Sequence, residues 1–297
     1  KDTEKLFPNG IDAIGADALR FTMASYASLG RSINFDFKRA EGYRNFCNKL
    51  WNATNFVLMN TEGQDCGQDE SLPLDYSFVD QWIIGRLQET EIAATKAFDT
   101  YRFDIAAQTL YEFLWNEYCD WYLELAKVQL QSGCEGSQRA TRRTLVRVLE
   151  VVLRLLHPIM PFITEELWQA LETRQAGESI MVQLMPKANT VNEKLMDDFE
   201  KTKEIIAGIR TIRLQKNIPN KESLQLQIIG DHNADFDAVI SKLCNLESLG
   251  KVAEKSPNAV SFLSGTTEYA VPMGSLINAE DEIRKMEDEI SYLEGFI

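Results

Sequence analysis

Apolar residues recur at spacings of three and four along most of the first 172 positions, the period of amphipathic helices. A helix is predicted to begin near Asp17, a favoured capping residue type, and to stop at Gly30. Ile33, Phe35 and Phe37 then alternate with polar neighbours and predict a short extended passage. A long helix follows from about Ala40 to Asn60, and further helical patterns occupy 76–98, 103–130, 135–157 and Pro161 to Glu172. Thr61–Asp80 holds six acids, no Lys or Arg, and Gly63, Gly67 and Pro73, so it reads as a solvated connector. Long amphipathic helices with short links predict a helix bundle.

The pattern changes after Gly177. Ile180–Leu184 reads as a strand, Glu193–Gln215 as a helix, and Leu224–Gly230 as a strand alternating apolar and polar residues. A helix at 234–248 and strands near 250–255, 259–264 and 267–273 complete a small α+β unit. Finally Ile283, Met286, Ile290, Leu293 and Ile297 trace a heptad seam. Two heptads fall short of the ~3–4 that define a coiled coil by themselves. The predicted fold class is therefore mainly α: a helix bundle, a small α+β domain, and the start of a coiled-coil arm.

Composition narrows the classes. With 44% hydrophobic and 26% charged residues the chain has the makeup of an ordinary globular protein, and no apolar run is long enough for a membrane span. A net charge of −14 argues against indiscriminate DNA coating while leaving room for a local basic patch. The five cysteines are scattered, without a C-x-x-C pair, which suits a reducing cytoplasm. Lys1 opens the chain and no Met precedes Met23, the look of a piece of something longer.

Catalytic motifs are missing: no phosphate-binding glycine loop, no G-x-S-x-G, no H-E-x-x-H. His157, at a predicted helix end before Pro158, reads as a cap or dipole partner, and His232, in a polar turn, as solvent-exposed. Neither has metal-ligand spacing to a second Cys or His. Catalytic residues, metal ligands and cofactors are accordingly expected to be none in this chain.

The 40–60 helix carries the informative pattern. Wound at about 100° per residue, it puts Tyr43, Phe46, Cys47, Leu50, Ala53, Thr54 and Val57 on one side, a core stripe. The opposite side holds Asn45, Asn48, Asn52 and Asn55, with Lys49 and Phe56 on the same face. Asn is a poor helix former, up to ~0.7 kcal/mol worse than Ala. It is also the side chain that offers a donor pair and an acceptor, which suits the reading of base edges. Phe56 would serve as a stacking platform and Lys49 as a phosphate partner. Between Arg20 and Asn52 six basic residues face two acids, a net of +4. The competing reading keeps the Asn residues as links between bundle helices and Phe56 as core. Trp115, Tyr118, Trp121 and Tyr122 are assigned to core. A second cluster, Arg139, Arg142, Arg143, Arg147 and Arg154, reads first as a solvated helix face, with tRNA phosphate contact as the alternative.

Four segments then resemble a known family in their expected order: Gly15-Ala-Asp-Ala-Leu-Arg-Phe21, Tyr43-Arg-Asn-Phe-Cys-Asn-Lys-Leu-Trp-Asn52, Cys119-Asp-Trp-Tyr-Leu-Glu-Leu-Ala-Lys127 and His157-Pro-Ile-Met-Pro-Phe-Ile-Thr-Glu-Glu-Leu-Trp168. Together they resemble class I aminoacyl-tRNA synthetases, in a combination most similar to the bacterial valyl group. The resemblance implies that 1–38 follows a catalytic core, 39–188 is the anticodon-binding bundle (its first helix beginning near 16), 189–275 is the α+β domain, and 276–297 is the first helix of a coiled-coil arm. It implies valine tRNA as partner, a cytoplasmic monomer, no DNA or membrane partner, and ATP with Mg used only in the full-length enzyme. The anticodon residues it implies are Asn34, Lys38, Asn45, Lys49, Asn52, Asn55 and Phe56, with Asn34 and Lys38 on the extended segment before the helix. Weaker backbone contacts are Arg31, Arg39, Arg44, Arg142 and Arg143. An isoleucyl or leucyl counterpart, or a helical interaction scaffold, remains the alternative at this stage.

Overall fold

A carboxylate with no exposure to solvent organises the first half of the chain. The computed structural model describes residues 5, 8, 10, 13–28, 30, 33–188 and 192–274, the Ser132 side chain excepted. It divides into two units, 1–192 and 193–297. The first contains α1 (Ala16–Ser25), α2 (Phe37–Thr61), α3 (Phe78–Asp99), α4 (Phe103–Glu112), a π-helical stretch (Phe113–Tyr122) running straight into α5 (Leu123–Ser132), α6 (Glu135–Leu156) and α7 (Pro161–Leu171). Among the described residues no helix is long and apolar enough to cross a membrane.

Asp80 sits in the first turn of α3 and forms a capping box with Ser77: the Ser77 hydroxyl accepts from the Asp80 N–H at 3.1 Å, and the Ser77 N–H donates to the carboxylate at 3.1 Å. The same carboxylate accepts from the Tyr122 hydroxyl at 2.7 Å and lies 3.2 Å from the Thr141 hydroxyl of α6. Burial pushes its pKa up, against hydrogen bonds that stabilise the charge. One residue thus ties α3, the π stretch and α6. Tyr118 adds a second tie, its hydroxyl donating to the Leu145 carbonyl at 2.9 Å. Around these ties pack Phe21, Phe46, Leu50, Trp82, Leu110, Val152 and Trp168, all fully buried.

Of the arginine stripe of α6 only Arg147 is exposed; Arg139 is buried and Arg142, Arg143 and Arg154 are half-buried. Arg139, only 2% exposed, pairs with Asp65 and donates to the carbonyls of Pro73 and Asp69 at 2.6 and 2.8 Å. Arg143 donates to the Gly67 carbonyl at 2.8 Å. The acidic connector is therefore stapled to α6 through its backbone, a role no spacing rule announces. Arg154 pairs with Glu150 at 2.6 Å on its own helix.

The second unit holds α8 (Glu193–Gln215), β1 (Leu224–Ile229), α9 (Asp237–Cys244), β2 (Leu246–Lys251), β3 (Ala259–Ser264) and β4 (Thr267–Pro272). The sheet order is β2-β1-β4-β3, with β1–β2 parallel and the other pairs antiparallel. The parallel pair needs a crossover, and α9 supplies it. Helix α9 ends at Asn245, whose left-handed backbone (φ 49°) lets β2 begin at once. The predicted helix to 248 and strand at 250–255 are corrected accordingly. The strand predicted at Ile180–Leu184 is a single 3₁₀ turn, Ile180–Val182. Nor is His232 solvent-exposed: its side chain is 5% exposed, held between the Tyr269 hydroxyl (3.0 Å) and Asp237 (2.5 Å). The heptad segment 283–297 lies outside the described residues.

Two predictions test these packings. Asp80→Ala takes the acceptor from the buried Tyr122 hydroxyl, while Thr141 keeps the Gln129 side-chain oxygen at 2.7 Å, and should lower unfolding free energy by roughly 1–3 kcal/mol. Asp80→Asn, which retains an acceptor oxygen, should lose less, both read by urea denaturation. In the second unit, a Cβ on Gly208 of α8 would lie 2.4 Å from the Phe262 ring, itself stacked on Tyr269 at 5.6 Å. Gly208→Ala should therefore destabilise by about 1–3 kcal/mol despite its better helix propensity, measured in the same way.

Candidate nucleic-acid interface

Helix α2 starts three residues earlier than its apolar pattern suggests. Asp36 caps it, accepting from the Lys38 N–H at 2.9 Å, so the first turn begins at Phe37. The extended placement of Lys38 is thereby corrected: it lies on the helix. At about 100° per residue it joins Asn45, Lys49, Asn52 and Phe56 in one stripe, with Asn48 and Asn55 alongside. From Lys38 to Phe56 the stripe runs about 27 Å. Asn34 stays on the irregular segment before the cap, exposed.

The two faces of α2 separate cleanly. Phe46, Leu50, Ala53, Thr54 and Val57 are buried, Tyr43 and Cys47 half-buried. Asn45, Asn48, Asn52 and Asn55 are all exposed, and among the described residues none of their side chains has a hydrogen-bond partner. The reading in which they link bundle helices finds no such link. Phe56 is half-buried, with the Lys127 ammonium 5.5 Å from its ring centroid. Lys127 also pairs with Glu124 at 2.6 Å.

Opposite Lys49 the structure brings residues that the sequence reading missed. Lys49 pairs with Asp120 at 2.7 Å and lies 4.9 Å from the ring centroid of Trp115. Trp115 is half-buried and stacks on Tyr111 at 5.5 Å, rather than sitting in the core. Trp121 is likewise half-buried, while Tyr118 and Tyr122 are core. The signal for Trp115 and Asp120 was present only as part of the Cys119–Tyr122 neighbourhood, and the π geometry that aims them is invisible to a period of 3.6 residues.

Of the weaker basic residues, Arg44 is exposed, Arg39 is exposed with its guanidinium 4.7 Å from the Tyr26 ring centroid, and Arg31 lies outside the described residues. Arg142 approaches Gln138 at 3.3 Å, and Arg143 is engaged with Gly67. Burial pushes the Cys47 thiol up to about 11 and the Cys119 thiol up to about 12, so both stay protonated at neutral pH. His157 is the C-cap residue of α6, as expected, its N–H donating to the Leu153 carbonyl; its ring lies 2.7 Å from the Thr164 hydroxyl, joining α6 to α7, and burial lowers its pKa. Among the described residues no cluster of three His, Cys, Asp or Glu is placed to hold a metal ion.

The face of α2 offers free amides, a half-buried aromatic and two lysines, groups whose chemistry allows hydrogen bonding and stacking with unpaired bases. Comparison with known proteins gives the same class: residues 80–228 match the anticodon-binding domain of tRNA ligases, and the chain belongs to that family. It is 56% identical over 301 aligned positions to the valine–tRNA ligase of Laribacter hongkongensis, covering 99% of this chain and 32% of that protein. Identity to the valine–tRNA ligase of Chromobacterium violaceum is 60%, over 86% of this chain and 28% of the relative. For that of Neisseria meningitidis serogroup B it is 55%, over 87% and 29%. The chain thus spans about a third of the length of the curated relatives it matches.

Because Phe56 offers part of its ring to solvent, Phe56→Ala should weaken tRNA binding by about 1–3 kcal/mol, the range for loss of one stacked base. Its melting temperature should stay within a few degrees of the parent, checked by circular dichroism. A collapse in melting temperature would assign Phe56 to the core.

Proposed function

We propose that this chain reads the anticodon loop of valine tRNA, as the tRNA-orienting part of a valine–tRNA ligase. In that reading Asn45, Asn52 and Asn55 discriminate base edges through their amides, Phe56 stacks on a splayed base, and Lys38 and Lys49 meet phosphate or base acceptors. Asn34 completes the pocket from the preceding segment, and Arg31, Arg39, Arg44, Arg142 and Arg143 are the weaker candidates for backbone contact. The whole protein would attach valine to its tRNA with ATP and Mg in the cytoplasm, and the residues here contribute binding rather than bond making.

One observation supports the reading: four of the five asparagines of α2, Asn45, Asn48, Asn52 and Asn55, are exposed and, among the described residues, unpaired, at a helix-propensity penalty of up to ~0.7 kcal/mol each, while Asn60 donates to the Phe56 carbonyl at 2.7 Å. Among the described residues nothing bonds these four amides, which favours an external use. Amides in place of charges also suit a chain of net −14, whose phosphate contacts have to be few and local. The relatives being valine ligases favours valine tRNA over the isoleucine or leucine substrates.

The test is titration of the 297-residue chain with valine tRNA and with the same tRNA carrying a swapped anticodon, at low salt. A preference for the native anticodon of tenfold or more, about 1.4 kcal/mol, is expected. Equal affinity for both would remove the anticodon from the function of this face.

A further inference from the structure

We propose that Asp120 decides what Lys49 binds: by fixing and neutralising the ammonium, it makes Lys49 a donor to a base rather than a clamp for any phosphate. This rests on the reading of α2 as the anticodon-facing helix and deepens it.

Trp115 and Asp120 are five residues apart. In an α-helix they would point about 140° away from each other. The stretch Phe113–Tyr122 is π-helical, bonded i to i+5, and such a turn stacks residues five apart on one side. Both therefore reach the same lysine: the Asp120 carboxylate at 2.7 Å, the Trp115 ring centroid at 4.9 Å. Tyr111, stacked behind Trp115 at an interplanar angle of 18°, limits where the indole can go. The ammonium is held from two directions while its remaining donors stay free, with the Lys49 and Asp120 side chains 31% and 48% exposed.

Fold stability does not explain the arrangement. An exposed ion pair of this kind contributes only about 0–1 kcal/mol. Its effect on recognition is larger. A lone lysine is a mobile point charge that accepts any phosphate within reach, and such contacts carry no sequence information. Paired with Asp120 the site has no net charge, so a phosphate gains little by approaching and meets the carboxylate as well. A neutral base acceptor meets no such repulsion and finds the N–H donor already in place, which lowers the entropy of ordering it. Asp120 and Trp115 are thus positioning residues, acting through Lys49.

The experiment compares the parent chain, Asp120→Asn, Lys49→Gln and the double variant, each titrated with the native and swapped-anticodon tRNAs across a salt series. Asp120→Asn should tighten binding of the swapped tRNA by about five- to tenfold with little change for the native one, so that discrimination falls by the same factor. The slope of log K against log salt should steepen by about 0.7–0.9, one added phosphate contact. In the Lys49→Gln background Asp120→Asn should change neither quantity. Unchanged discrimination and slope in Asp120→Asn, or an equal shift in both backgrounds, would overturn the proposal. If Lys49→Gln loses discrimination and Asp120→Asn keeps it, this inference fails alone. If the parent chain does not discriminate, the anticodon reading fails and takes the inference with it.

Discussion

The geometry of the candidate face depends on the buried carboxylate of Asp80. It fixes the start of α3 through the Ser77 capping box and, through the Tyr122 hydroxyl at 2.7 Å, the rotation of the π-helical stretch about its own axis. Tyr118, four residues earlier, points the same way into the core and bonds the Leu145 carbonyl. With both tyrosines anchored inward, Trp115 and Asp120 are left on the side that meets α2 at Lys49. A buried polar group that is fully bonded fixes one arrangement among several apolar packings of similar energy. Here that arrangement aligns two helices to within the reach of a lysine ammonium.

The bundle was legible because its helices obey one rule. Outside the π-helical stretch their apolar period is kept, and the caps and breakers (Ser77, Gly133, Pro161) mark the ends of α3, α5 and α7. The Asn face of α2 was legible for the same reason, since exposure follows from the period once the core stripe is known. Lys38 was misplaced because Phe37 continued an alternating run, while the deciding interaction was a local one, the Asp36 carboxylate on the Lys38 N–H. Capping energetics of about 1 kcal/mol outweighed a three-residue pattern.

Two of the other misreadings involve partners distant in sequence, and a third the backbone itself. Arg139 and Arg143 looked like a solvated stripe because their partners, the backbone carbonyls of Gly67, Asp69 and Pro73, leave no mark in composition. His232 sits in a polar turn and is nonetheless covered by Tyr269 of β4. Trp115 obeys neither the core rule nor the surface rule, since a π turn displaces everything after it from the period on which both rules rest. Period-based reading therefore fails where the backbone itself departs from the period, and this chain departs from it beside its candidate site.

Charge gives the last step. A chain with 45 acidic and 31 basic residues is a poor electrostatic sponge for RNA, and part of the positive charge in the bundle is already paired with acids: Arg139 by Asp65, Arg154 by Glu150, Lys127 by Glu124, Lys49 by Asp120. A surface that bound any tRNA tightly would leave its lysines free. On the proposed function, pairing them lowers the sequence-independent part of the affinity and would leave the neutral contacts, amide to base edge and ring to base face, as a larger share of what remains. The same acids that weaken binding overall thus raise the fraction of it that depends on which bases are present. Where recognition has to tell one anticodon from another, as proposed above, that fraction matters more than the total.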